Sequence, residues 1–84
     1  MANKKQLIKY GKLRDYAISM GISMGKLAKI VDMSESQLYY IDRFDNPEIR
    51  LSTIVKIYNG TKEEFGVGLK PYQYLKDFNK EVFD

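Results

Sequence analysis

Hydrophobic positions along this chain recur three and four residues apart rather than on alternate residues, the pattern of amphipathic helices. Leu13, Tyr16, Ala17 and Met20 fall at i, i+3, i+4 and i+7 and predict one stripe of a first helix. That helix is expected to start well before Leu13, to tolerate Gly11 at some cost, and to stop at Gly21. Ser23 is placed to cap a second helix whose buried positions are Leu27, Ala28 and Val31. Asp32 closes it, because Asp is one of the few non-glycine residues that accepts a left-handed turn.

Ser34 opens a third helix, and Gln37 three residues later completes the capping-box spacing. Leu38 and Ile41 share the inner face of that helix, so Glu35, Ser36, Tyr39 and Tyr40 must point elsewhere. The stretch "RFDNPEIR" interrupts the pattern, since Pro47 disfavours helix at Asn46. Leu51, Ile54, Val55 and Tyr58 predict a fourth helix ended by Asn59 and Gly60. Thr61 and Glu64 suggest a further capped turn, and "GVGL" a loose joint. From Pro71, a good first helical residue, Leu75, Phe78 and Val82 line one face of a last segment, residues 71–83. The expected fold is all-α: a compact bundle of about five short helices in a single domain, residues 1–84, with no strand.

Composition narrows the chemistry. At 84 residues, 44% hydrophobic and 30% charged, the chain is expected to be globular with one modest core and no cleft between lobes. It has no cysteine and no histidine, which removes thiolate metal sites and the commonest general base. Asp42 and Asp45 are close in sequence but are expected to flank an exposed loop without a base partner. The expectation is therefore no enzyme, no metal and no cofactor. Lys4, Lys5 and Lys9 are not followed by an apolar run, and no apolar stretch reaches the roughly 20 residues needed to cross a bilayer. The expected location is the cytoplasm, without a membrane partner.

Charge is distributed unevenly. Residues 1–30 carry seven Lys or Arg against Asp15 alone, a balance of +6, whereas residues 31–84 balance at −3. One end is thus suited to a polyanion, although a merely solvated lysine-rich helix gives the same count.

The second and third helices, joined by a turn of about three residues, have the outline of a helix-turn-helix. Gly21, Ile22 and Ser23 precede the second helix, and Leu27 and Ala28 lie within it. Met33 and Ser34 stand in the turn, and Leu38 and Ile41 in the third helix. Asn46 and Pro47 follow in the loop, then "LSTIVKI" at residues 51–57. In this order, over residues 13–58, the chain resembles the phage-repressor or XRE-type helix-turn-helix family, of the Cro, CI and lambda-repressor kind. It departs from the family pattern at Asp32, where glycine is usual, and at Met24, where glutamine is usual. Its third helix has no Lys or Arg before Arg43.

The resemblance implies a sequence-specific, double-stranded-DNA-binding transcriptional regulator, a repressor from a phage, plasmid or mobile element. Its third helix would lie in the major groove. Ser34, Glu35, Ser36, Tyr39 and Tyr40 would then face base edges, with Gln37 near the backbone or held in its capping box. A tyrosine ring can pack on a thymine methyl, Glu35 can accept from cytosine, and Ser36 can bond several edges. Lys26, Arg43, Asn46, Arg50 and Thr53 would contact phosphates, against plain solvation for the charged ones. The tyrosine pair has the alternative of packing on the C-terminal helix. Tyr72, Tyr74, Leu75, Phe78, Val82 and Phe83 would supply a homodimer interface or complete a thin core. The competing function is a protein-binding module on the same scaffold, an antitoxin or an inhibitor of a nucleic-acid enzyme.

Overall fold

In the first helix, an N-terminal glycine and a distant carboxylate override the periodicity. The computed structural model describes residues 10–44 and 48–75. Within them α1 (Leu13–Met20) begins at Leu13, not before it. Gly11 has φ 92°, outside the helical region, so the backbone cannot run through it as helix. The free amides at the start of α1 are instead met from another helix. Asp42 accepts from Leu13 N–H at 2.7 Å and from Arg14 N–H at 2.9 Å, and Lys12 Nζ donates to the Asp42 carbonyl at 2.6 Å. Asp42 thus has a structural partner that its place beside the following loop did not reveal. It sits in a helix, half-buried, and caps α1.

The next four boundaries follow local rules. Gly21 (φ 73°) ends α1, with Gly21 N–H donating to Ile18 and Ile22 N–H to Ala17. Ser23 Oγ accepts from Lys26 N–H at 3.1 Å and caps α2 (Met24–Val31). Asp32 (φ 59°) closes α2 in the left-handed region. Residues 32–34 then lead into α3 (Glu35–Arg43), where the full capping box is formed. Gln37 N–H donates to Ser34 Oγ at 3.2 Å, and Ser34 N–H donates to Gln37 Oε1 at 3.0 Å.

The fourth helix, α4 (Leu51–Phe65), runs straight through Asn59 and Gly60, which were expected to end it. Its buried residues are Ile54, Ile57 and Thr61, while Leu51 is 60% and Val55 39% exposed. The inner face is thus rotated from the expected stripe. Gly60 is the cause: a Cβ there would come within 2.5 Å of the Ile30 carbonyl oxygen and 2.8 Å of Val31 Cα. Only glycine lets the α4 backbone lie this close to the end of α2, and that crossing selects the buried face.

Thr61, expected in a capped turn with Glu64, is an internal helical residue with no exposed surface. Its hydroxyl donates to the Ile57 carbonyl at 2.8 Å and accepts from Leu69 N–H at 2.7 Å, pinning the returning loop against α4. Thr61→Val keeps the shape but leaves the buried Leu69 amide without an acceptor. The expected loss is about 1–3 kcal/mol, read as a lower urea midpoint with an unchanged slope.

Gly66 (φ 86°) ends α4; of the last segment expected over 71–83, the described part, residues 71–75, contains a 3-10 turn, Pro71–Gln73. The described residues thus form a compact, all-helical fold of four α-helices without a strand. None of these helices is long and apolar enough to cross a membrane. Tyr72, Tyr74 and Leu75 are buried in the chain's own core. Phe78, Val82 and Phe83 lie outside the described residues.

Leu13, Leu27, Val31, Leu38 and Ile57 form the fully enclosed centre. Tyr16 packs edge-on against Tyr10 at 5.1 Å and Phe65 at 6.4 Å. Burial, with Tyr10 alongside, pushes the Tyr16 hydroxyl from 10.0 up to about 12, and burial raises Tyr74 as well. The folded state therefore holds protons that the unfolded chain releases above pH 10. This contribution is complete below pH 10 and is lost as pH rises through about 12. Melting temperature is expected to fall across that window, in step with tyrosinate absorbance.

Candidate nucleic-acid interface

Leu38 and Ile41 anchor α3 in the core, which determines what its other faces present. Ser36, Tyr39, Tyr40 and Arg43 stand at i, i+3, i+4 and i+7 and form one outward stripe. All four are exposed, Tyr39 at 43% and Tyr40 at 44%. The tyrosines thus face away from the core throughout the described residues. Phe44, directly after the helix, is 46% exposed and meets Tyr40 edge-on at 5.2 Å between centroids.

Two shallow clefts flank this stripe. One, of ≈ 430 Å³, is bordered by Ser23, Gly25, Lys26, Lys29 and Glu35. The other, of ≈ 310 Å³, is bordered by Gln37, Tyr40 and Glu48, with Arg50, Ser52 and Thr53 at the start of α4. The exposed cations Lys26 and Lys29 therefore stand on the α2 side of the stripe and Arg50 on the α4 side. The arrangement is a partly aromatic ridge ending in Arg43, with Lys26 and Lys29 beside Glu35 on one side and Arg50 beside Glu48 on the other.

The remaining candidates divide by placement. Ser34 is the exposed N-cap of α3. Gln37 has its carbonyl oxygen committed to the Ser34 amide and hydroxyl. Glu35 lies off the stripe and turns onto the first turn of α2, where an added Cβ at Gly25 would approach Glu35 Oε2 to 2.5 Å. Thr53 is half-buried, and its amide bonds Arg50. Met24 is buried. Asn46 lies outside the described residues.

Two contributors were not singled out from the sequence. Lys29 follows Lys26 by three, a helical neighbour, and that spacing was a usable signal. Phe44 follows Tyr40 by four, but its exposure depends on the chain leaving α3 in an extended conformation at that residue. The ion pair of Lys56 with Asp32, at 4.0 Å and largely exposed, adds little energy. Among the described residues no three His, Cys, Asp or Glu side chains converge on a metal position. In comparisons with protein-family models, curated proteins and solved structures, nothing matches this chain.

Proposed function

We propose that this protein is a sequence-specific double-stranded-DNA-binding regulator of transcription, using α2 and α3 as a helix-turn-helix of the phage-repressor-like kind. The observation that carries this reading is the outward stripe of α3 with cations on both flanks. A helix about 10–12 Å across matches the width of the major groove. In that pose Ser34, Ser36, Tyr39 and Tyr40 address base edges, with Glu35 and Gln37 at the margin. Lys26, Lys29, Arg43, Arg50, Thr53 and Asn46 address phosphates, which set register. Regulation works by occupancy of a promoter or origin, as a repressor of a phage, plasmid or mobile element in the cytoplasm, without catalysis or cofactor. A homodimer would place two α3 helices about 34 Å apart on one DNA face. Its interface would use apolar residues of the segment 71–83, with Phe78, Val82 and Phe83 as candidates.

The test is the salt dependence of binding to duplex DNA. With about four phosphates neutralised, log K against log salt is expected to slope near −3.6. Lys26→Ala is expected to weaken all duplexes alike and to flatten the slope by about one unit. A flat response at low ionic strength would reject DNA as the principal partner. It would favour the second reading, a protein-binding module that acts as an antitoxin or as an inhibitor of a nucleic-acid enzyme. The exposed Tyr39, Tyr40 and Phe44 support that reading, because aromatic side chains concentrate the energy of protein interfaces.

A further inference from the structure

We infer that the α3 ridge selects A·T base pairs by packing Tyr40 and Phe44 on the 5-methyl groups of thymine, an inference that rests on the DNA-binding reading above. The ridge has few free groups that read the other bases. Guanine is read by Arg or Lys, and the outward stripe carries one such group, Arg43. Cytosine is read by a carboxylate, and Glu35 is turned away onto Gly25 between Lys26 and Lys29. Adenine is read by a bidentate amide, and the Gln37 carbonyl oxygen is already bonded to Ser34.

The ridge does offer apolar surface. Tyr40 and Phe44 touch at 5.2 Å and are 44% and 46% exposed, with Tyr39 at 43% on the same side of the helix. Phe44 has no hydroxyl and gains nothing from a phosphate. Thymine's methyl is the one apolar group that the major groove presents. The paired rings of Tyr40 and Phe44, with Lys26, Lys29 and Arg50 on the flanks, are therefore complementary to thymine methyls bordered by phosphates.

The experiment uses the full chain and duplexes selected from a random DNA pool. Each thymine of the selected site is replaced in turn by deoxyuridine, which removes the methyl and keeps pairing and backbone charge. Binding is expected to weaken about four-fold for each methyl that the ridge covers. Phe44→Ala is expected to abolish that thymine-over-uracil preference while the salt slope stays the same. Tyr40→Ala provides the second variant, and circular dichroism confirms the fold of each. Specific, salt-dependent binding that is indifferent to every uracil substitution overturns the inference and leaves the DNA reading standing. A uracil effect that persists undiminished in both variants also overturns it, because the methyl is then sensed elsewhere. Absence of salt-dependent binding to any duplex overturns the DNA reading and the inference together.

Discussion

Leu38→Ala is expected to cost about 2–5 kcal/mol, the range for truncating a buried leucine whose cavity does not fully collapse. Leu38 has no exposed surface and joins α3 to the core built from Leu13, Leu27 and Val31. For a chain this short, such a loss is a large part of total stability. Tyr40, two residues away on the outward stripe, gives the contrast. Tyr40→Ala is expected to change stability by about 0.5 kcal/mol or less, while altering the DNA preference proposed for α3. Urea unfolding of both variants measures the difference. A large stability loss from Tyr40→Ala would move that tyrosine into the core and remove it from any interface. A negligible loss from Leu38→Ala would contradict the anchoring of α3.

Gly60→Ala is expected to destabilise the protein by about 3 kcal/mol, the upper end of the cost of overpacking. The sign is the informative part. In an unconstrained helix the same change stabilises by nearly 1 kcal/mol, because alanine is the better helix former. Here the new methyl would meet the backbone of Ile30 and Val31, which cannot swing aside as a side chain can. Gly25→Ala serves as the control. Its obstacle is the far end of the flexible Glu35 side chain, so stability is expected to hold or rise slightly. Thermal melts of the two variants should therefore move in opposite directions or differ widely. If Gly60→Ala melts at or above the parent temperature, the close crossing of α2 and α4 is wrong.

Much of α2, α3 and the outward stripe was legible before any coordinates. Ser23 bonding Lys26, the reciprocal bonds of Ser34 and Gln37, and the left-handed Gly21 and Asp32 are interactions between residues at most five apart. Such bonds form from the side chain and backbone preferences of one short stretch, so they are written in its letters. The exposure of Ser36, Tyr39 and Tyr40 followed from the burial of Leu38 and Ile41, because helix geometry ties the two faces together.

Other features depended on partners that no local window contains. The start of α1 is set by Asp42, 29 residues away along the chain. The length and inner face of α4 are set by the backbone of Ile30 and Val31, which turns Gly60 from a helix terminator into the residue that permits the crossing. Thr61, which looked like a cap, became a buried tether once Leu69 N–H was brought against it. Glu35 turns off the outward stripe of α3 into the space over Gly25, on a different helix. The sequence alone thus determined where helices α2 and α3 start and stop and which side of α3 faces out, because hydrogen bonds across one turn decide both. Tertiary structure decided where α1 begins, how far α4 runs and which polar groups remain on the ridge, because those depend on which backbones can come within van der Waals contact.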